Sequence, residues 1–325
     1  MLDELELKPP RAGAPELSNW GVFGDDDELG TLNYLTHDAV LRGSACVRQG
    51  RTYPLNLPVN LPSNRPIGRP EHHKTAHLHN LEFAGVVVND DHIVLATQGS
   101  TQWDSLVHTG AVEAGVEGVF YNGVRPEDID SDGYAHRNGI DKFAARGIAG
   151  RGLLLDVARM VADGADDPLP SDFLITEAEV EECLRYQQCQ MLPGDIVCFR
   201  TGWVETYLDA DEAGRAELMT PVGETFAPAA PGISADLAPL AHGQRWAAVT
   251  ADNLAVEISP FQPDNARSAH VRMQRNLGLP FGELFDFRDL AIACSADRRY
   301  DFFFVSQPLY IPGGMGSPAN AMAIR

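Results

Sequence analysis

A dense group of polar side chains occupies residues 98–108, and their types are those that acid–base or metal chemistry uses. Asp104 and His108 stand four residues apart, and Gln98 and Gln102 repeat that spacing with two carboxamides. A carboxylate and an imidazole together can bind a divalent metal ion or exchange a proton with a substrate. The spacing alone leaves a structural alternative open, in which Asp104 caps a turn and His108 is a hydrogen-bonded, partly buried side chain.

Signatures of several other chemistries are missing from the sequence. The glycines of residues 147–152 do not follow a dinucleotide-binding pattern, no phosphate-binding P-loop exists, and residues 99–101 lack the G-x-S-x-G frame of a nucleophile elbow. The five cysteines show no C-x-x-C spacing, so a disulfide framework or a zinc knuckle is not expected. Reduced, mostly buried thiols are expected instead, as in a cytoplasmic protein.

The composition is that of a large globular chain with a strong negative charge. Its 325 residues can bury a sizeable core without disulfides. With 25 Lys and Arg against 46 Asp and Glu, the net charge is −21, which disfavours nucleic acid and anionic membrane surfaces as partners. Residues 1–15 lack the apolar core of a signal peptide, and no apolar run is long enough to span a bilayer. We therefore expect a cytoplasmic location.

The polar group directly follows a β-rich stretch, a position at which sheet proteins often carry functional side chains. Residues 81–88 and 92–97 are typical of a hairpin, with Asn89, Asp90 and Asp91 as its turn. Further strands are expected at residues 52–57, 152–157, 195–201, 246–250 and 300–305. Helices are expected at residues 37–47, 177–192, 209–219, 270–277 and 287–294.

The predicted elements favour one mixed α/β domain. Strands and helices are interspersed without regular alternation, and no linker separates two halves, so residues 36–325 are expected to fold around a central sheet or open barrel. Residues 1–35 carry three prolines and an acidic run, and we expect an irregular segment that wraps the core or a partner subunit. The clearest helix signal is the capping box of Thr176 and Glu179 at the start of residues 177–192.

Residues 98–108 resemble a degenerate form of the H-x-G-T-H-x-D-x-x-x-H signature of the cyclase superfamily, which includes bacterial kynurenine formamidase and isatin hydrolase. In this register the first two histidines of the signature fall on Gln98 and Gln102, the aspartate on Asp104 and the last histidine on His108. The resemblance covers most of the chain. Further matching segments are Trp20-Gly21, residues 27–33, 100–104, 120–123, 147–156, 194–195 and 200–203, Asp252-Asn253, Val256-Glu257, His270, Gly282-Glu283 and residues 313–320.

The resemblance implies a swivelling β/β/α fold, a homodimer or higher homo-oligomer, and hydrolysis of a cyclic or aryl amide with zinc or manganese. The two glutamines depart from the family pattern, because a carboxamide oxygen is a much weaker ligand than imidazole for these metals. One divalent ion is therefore expected rather than two. Its ligands, as the resemblance implies, are Asp104, His108, His270 and Glu283, and three of these, Asp104, His108 and Glu283, are also the candidates for catalysis.

The remaining candidates are side chains that would contact a small carbonyl substrate. Trp20 and Trp103 are expected to form an aromatic wall for a flat molecule. Orienting hydrogen bonds are expected from Tyr121 and Asn253, and from the carboxamides that replace the histidines of the signature, Gln98 and Gln102. The histidine-rich run at residues 72–79 is expected to be solvated in a polar loop rather than to bind metal.

Three functions remain open on the sequence. The first is a one-metal hydrolase of a small amide, lactam or lactone. The second is a metal-independent enzyme in which Asp104 and His108 are an acid–base pair for lactone opening, dehydration or ring closure. The third is a small-molecule-binding relative without catalysis. Metal content and turnover would separate the three.

Overall fold

The computed structural model describes residues 5–62, 69–70, 72–116, 118–223, 225, 227–260 and 268–325. Its strands are β1 (Thr52–Pro54), β2 (His73–Phe83), β3 (Val86–Val94), β4 (Gln102–Asp104), β5 (Ile148–Asp156), β6 (Leu174–Ile175), β7 (Ile196–Arg200), β8 (Gly232–Ile233), β9 (Ala248–Ala251), β10 (Phe281–Glu283), β11 (Asp301–Ser306), β12 (Gly316–Pro318) and β13 (Ala321–Ile324). Its α-helices are α1 (His37–Ser44), α2 (Ile140–Arg146), α3 (Val157–Val161), α4 (Glu177–Gln187), α5 (Trp203–Asp209), α6 (Glu212–Leu218), α7 (Ala238–Gln244) and α8 (Arg288–Asp297).

One curled sheet of nine strands organises the molecule, in the order β1-β13-β11-β5-β7-β9-β10-β4-β12. The central strands β5, β7, β9 and β10 are parallel, whereas both flanks are antiparallel. Every residue of β7 is buried, as expected for a parallel strand that is covered on both faces. The predicted mixed α/β fold around a central sheet is confirmed, and the strands predicted near β5, β7, β9 and β11 are present.

The hairpin is present, but its predicted boundaries and turn are wrong. Strands β2 and β3 pair from His73 to Val94, and the turn is formed by Ala84 and Gly85, whose φ angles are 50° and 79°. Two consecutive positive φ angles are typical of the tight turn that matches strand twist, whereas residues 89–91 continue β3. The histidine-rich run lies mainly on β2 rather than in a loop.

Two predicted helices differ in detail from the observed ones. Helix α4 begins with the expected capping box, in which the Thr176 backbone N–H donates to Glu179 at 2.9 Å. It ends earlier than predicted, because Gln188 adopts a left-handed conformation with φ 54°. Residues His270–Arg275 form a π-helix rather than an α-helix. Such turns often occur at functional sites, because the wider spiral redirects a side chain.

The segment before residue 36 packs on the body of its own chain. Trp20 is fully buried, and its indole N–H donates to the carbonyl oxygen of Arg275 at 2.8 Å. The Asn19 amide donates to the carbonyl oxygen of Leu277 at 2.9 Å. These contacts support the C-terminal end of the π-helix. Within the described ranges, no helix is long and apolar enough to cross a membrane.

A cluster of ion pairs lies where β5 and β7 end. Arg200, the last residue of β7, contacts three carboxylates through three different nitrogen atoms, each at 2.7 Å. Its partners are Asp156 at the end of β5, Asp166 and Glu205. Arg159 also contacts Asp156, at 3.0 Å. The arrangement balances buried charge at one edge of the parallel strands.

Candidate active site

The candidate site begins on two adjacent antiparallel strands. Gln102 and Asp104 are the first and last residues of β4, so strand alternation directs both side chains to one face and Trp103 to the other. Strand β10 pairs with β4 so that Glu283 lies directly opposite Gln102. Two carboxylates and a carboxamide therefore share one buried patch of the sheet.

The first turn of the π-helix adds an imidazole to this patch. Glu257 holds His270 in place, because one carboxylate oxygen accepts the backbone N–H of Ala269 at 2.7 Å and the other lies 2.5 Å from His270 Nδ1. A carboxylate on Nδ1 fixes the ring and leaves Nε2 to face the sheet. Burial alone would lower the pKa of His270, but its contacts with Asp104, Glu257 and Glu283 raise that pKa well above its ordinary value.

Three possible metal ligands converge on one point. His270 Nε2 lies 3.5 Å from Glu283 Oε1 and 3.9 Å from Asp104 Oδ2, and the three ligand atoms all lie within 4.8 Å of one another. Asp104 Oδ2 is buried and finds no hydrogen-bond donor in the described part of the chain. An imidazole and two carboxylates are a suitable ligand set for zinc or manganese, and the unsatisfied oxygen is where a cation would bind. The residues therefore fit one divalent ion.

Gln102 occupies the other side of the same two carboxylates. Its amide nitrogen donates to Glu283 Oε2 at 2.5 Å and lies 3.4 Å from Asp104 Oδ1. Its own oxygen is buried, with no partner among the described residues. The Gln102 amide therefore contacts the carboxylate oxygens that point away from His270, and it contributes no charge to the cluster. One cation position remains between Asp104, Glu283 and His270.

The electrostatics of the two carboxylates are different. Burial would raise the pKa of Asp104, but the imidazoles of His108 and His270 hold it below its ordinary value. Burial, reinforced by the negative charge of Asp104, raises the pKa of Glu283 to about 7. Asp104 is therefore ionised at neutral pH, whereas Glu283 can gain or lose a proton there.

His108 lies beside the three ligands rather than among them. Its Nε2 is 3.9 Å from Asp104 Oδ1, and its side chain is 26% exposed. Gln98 Nε2 lies 3.4 Å from His108 Nδ1, and the Gln98 oxygen accepts the Thr97 hydroxyl at 2.8 Å. With the amide N–H directed at Nδ1, a neutral His108 carries its proton on Nε2. Burial lowers the pKa of His108 and favours this neutral form.

A cavity of about 530 Å³ opens on the cluster. His108, His270 and Glu283 line it, together with apolar side chains that include Leu254 and Val271. The combination of an apolar wall and a few convergent polar groups is typical of a small-molecule site.

Comparison with known proteins identifies the family. The model of the Cyclase family matches residues 35–258. The chain belongs to the Cyclase family. A crystal structure described as a novel cyclase is 36% identical, covers 95% of this chain over its own full length, and superimposes with a TM-score of 0.82.

More distant relatives of this Cyclase family member share the fold. Isatin hydrolase A from Labrenzia aggregata, bound to benzyl benzoate, is 14% identical with a TM-score of 0.59, over 86% of this chain and 94% of its own. An isatin hydrolase bound to the product analogue thioisatinate is also 14% identical, with a TM-score of 0.58, over 86% of this chain and 93% of its own. No curated protein matches the chain.

None of the six side chains predicted to contact substrate is among the described residues that line this cavity. Gln98 and Gln102 contact the cluster instead, and the other four lie in the core or in loops. Trp103 points into the core, where its ring packs edge-on against Phe285 and its N–H donates to Ser306. Trp20 lies beneath Arg275, and the Tyr121 hydroxyl donates to Asp27 at 2.9 Å. The amide of Asn253 donates to the carbonyl oxygens of Pro231 and Val256. Each of the four supports a neighbouring loop or the core instead.

Two residues near the site were not predicted from the sequence to have a role. Glu257 orients His270, and Arg69 lines the cavity. The Val256-Glu257 pair was a matching segment of the family resemblance, which was the available signal for Glu257. Arg69 lies in a proline-rich stretch without a recognisable pattern, and no sequence signal marked it.

Proposed function

We propose that this protein hydrolyses a small cyclic or aryl amide, lactam or lactone with one divalent ion, zinc or manganese. Asp104, His270 and Glu283 would hold the ion, and Glu257 would keep His270 in the orientation for binding. The observation that carries the proposal is the convergence of one ligand atom each from Asp104, His270 and Glu283 within 4.8 Å of one another. Family membership and the isatin hydrolases among the fold neighbours support a hydrolytic reaction on a carbonyl compound.

The side chains around the cluster have complementary roles in such a reaction. A bound zinc or manganese ion supplies Lewis-acid activation of water and of the substrate carbonyl. Glu283, which borders the proposed ion position, would take up a proton from the attacking water. His108, neutral and with its proton on Nε2, would donate a hydrogen bond to the substrate carbonyl oxygen, and Glu283 would pass the proton taken from water to the leaving nitrogen or oxygen. Gln98 keeps the His108 ring in this tautomer.

The metal-independent alternative receives less support from the geometry. Asp104 Oδ1 and His108 Nε2 are 3.9 Å apart, which is too long for the hydrogen bond of an acid–base pair. Asp104 is also closely contacted by Gln102 and His270. The third possibility, a small-molecule-binding protein without catalysis, is tested by measuring turnover.

The proposal is tested by metal content and activity of protein purified without chelator. About one zinc or manganese ion per chain is expected, with hydrolysis of at least one member of a panel of aryl amides, lactams and lactones. Dialysis against EDTA should abolish turnover, and returning the metal should restore it. Metal-free protein with EDTA-insensitive activity would support the acid–base alternative. Absence of turnover across the panel would support the binder.

We also propose that the protein acts as a homodimer or higher homo-oligomer in the cytoplasm. The support is the β2–β3 hairpin, a separate two-stranded sheet that carries apolar side chains such as Phe83 and its cross-strand partner Val86, which are 75% and 58% exposed. An isolated hairpin is marginally stable, so a second copy that covers these side chains would stabilise it. Light scattering of the wild type and of the Phe83→Ser, Val86→Ser variant tests the proposal. A monomeric wild type of about 35 kDa would refute it.

A further inference from the structure

The cavity above the ligand cluster contains one cationic side chain that the proposed chemistry does not use. Among the described residues that line it, Arg69 is the only arginine or lysine. The other charged or titratable side chains of the lining are Glu257, Glu283 and the imidazoles of His108 and His270. A guanidinium therefore shares a small space with the groups proposed to act on the substrate.

Arg69 acts on the same groups electrostatically. Burial is the largest influence on the pKa values of Asp104, His108 and Glu283, and Arg69 lowers all three. Its own side chain is only half-buried, so part of it remains open to the cavity. Arg69 is thus close to the reacting centre and also accessible to a ligand.

The surroundings make this cation useful for one class of ligand. The chain carries a net charge of −21, and Glu257 and Glu283 line the cavity. An anion entering such a space is repelled unless a cation compensates locally. A guanidinium offers a planar fork of N–H donors that matches a carboxylate, whereas a neutral amide or lactone gains little from it.

The apolar side chains of the lining indicate the chemical character of the rest of the ligand. Ala227, Leu254 and Val271 line the same cavity, whose volume of about 530 Å³ fits a small molecule with a hydrocarbon or aromatic body. A carboxylate on such a molecule would contact Arg69 while the scissile carbonyl contacts the cluster of Asp104, His270 and Glu283.

We infer that Arg69 is the anion-binding residue of this cavity, and that the substrate is an amide, lactam or lactone that carries a separate carboxylate. The identity of the scissile bond in this inference rests on the proposed function, whereas the binding of an anion by Arg69 does not. A carboxylate bound directly by the metal, and a guanidinium that merely balances the acidic cluster, are the competing explanations that the test must separate.

Binding of matched anionic and neutral probes tests the inference. Benzoate, phenylacetate and 3-phenylpropanoate are each titrated calorimetrically into the purified protein, alongside the corresponding primary amides. At least one carboxylate is expected to bind about 10-fold or more tightly than its amide. Arg69→Met should remove this preference, and Arg69→Lys should keep part of it. Arg48→Met is the matched control, because Arg48 is exposed and the change alters net charge equally. It should behave as the wild type.

Specific results would overturn the inference. Wild-type protein without preference for any of the carboxylates would do so, and so would a preference that survives in a folded Arg69→Met variant. Asp104→Asn separates the metal from the arginine: the preference should persist in this variant, and its loss there would assign the anion to the metal. None of these titrations needs turnover. Failure of hydrolysis would therefore refute the proposed function alone, and failure of the binding preference would refute this inference alone.

Discussion

Two buried basic side chains of this protein each stand among three carboxylates, but their contacts are different. Arg200 reaches Asp156, Asp166 and Glu205 through three nitrogens, each at 2.7 Å. His270 lies 2.5 Å from Glu257, whereas Glu283 and Asp104 are 3.5 Å and 3.9 Å from its Nε2. We call the first cluster closed because its arginine bonds all three carboxylates, although Glu205 Oε2 finds no donor among the described residues. We call the second cluster open because its imidazole makes a short contact with Glu257 alone.

The number of donors on each basic group explains the difference. A guanidinium has five N–H donors in a planar fork and can serve three carboxylates at once. An imidazole has two nitrogens, and Glu257 already occupies one of them. Asp104 and Glu283 must then share the other, so one Asp104 oxygen stays without a donor in the described chain. A buried carboxylate oxygen without a donor does not by itself mark a cation site, because Glu205 Oε2 in the Arg200 cluster is also without one in the described chain. The open cluster differs in that Asp104, His270 and Glu283 direct one ligand atom each towards a common point.

The largest expected effect is on the open cluster. Asp104→Asn removes a ligand charge, and we expect metal content to fall from about one ion per chain to less than about 0.1, with hydrolysis reduced at least about 10³-fold, or about 4 kcal/mol. Metal analysis and steady-state kinetics measure both. The matched change in the closed cluster, Asp166→Asn, should leave both unaltered. Retention of the ion by Asp104→Asn would contradict the assignment of ligands.

The next effect is on the stability of the closed cluster. Arg200→Met leaves Asp156 and Glu205 without their shared partner, and a buried pair broken on one side costs about 3 kcal/mol or more. Urea unfolding should show this loss, whereas metal content should not change. Arg185→Met is the control, because its pair with Glu182 is exposed and contributes less than about 1 kcal/mol. Equal losses in the two variants would show that the Arg200 cluster is not structural.

A smaller effect on metal binding is expected from Glu257, the carboxylate that contacts His270 Nδ1. Glu257→Gln weakens the hold on His270 Nδ1, and we expect metal affinity to fall about 10- to 100-fold, as is usual for such supporting groups. Competition with a chromogenic chelator measures the affinity. Glu82→Gln, on the exposed β2 strand, is the control. Unchanged affinity in Glu257→Gln would mean that the π-helix alone orients the ring.

The last predicted effect concerns the pH dependence of stability in metal-free protein. Burial raises the Glu283 pKa from 4.5 to about 7, so the folded state binds a proton that the unfolded state has released. Its contribution is fully present below pH 4.5 and is lost as pH rises through about 7, a decrease of about 3 kcal/mol. Asp252, whose pKa burial also raises to about 7, contributes with the same sign. For Glu283→Gln in EDTA, the slope of the unfolding free energy against pH between about 4.5 and 7 should be smaller than that of the wild type by the equivalent of one proton. An unchanged slope would contradict the raised pKa of Glu283.

The fold could be predicted where local patterns were strong. Buried apolar runs marked β5 and β7, and the Thr176–Glu179 capping box marked the start of α4, because these signals depend on neighbouring residues. The hairpin turn was misplaced because the strand β3 contains Asn89, Asp90 and Asp91, residues that usually favour turns. There the pairing of two long strands outweighs the local preference.

The sequence by itself indicated the family, but strand β4 was not among the strands predicted from it. Once that strand forms, the order of its residues decides which side chains share a face. Alternation along a strand places Gln102 and Asp104 on one face and Trp103 on the other, whatever the strand pairs with. The tertiary structure alone decided the rest: β10 brings Glu283 opposite Gln102, and the π-helix brings His270 and its partner Glu257. These groups are distant along the chain, and their meeting depends on strand pairing and helix packing, which no local spacing encodes.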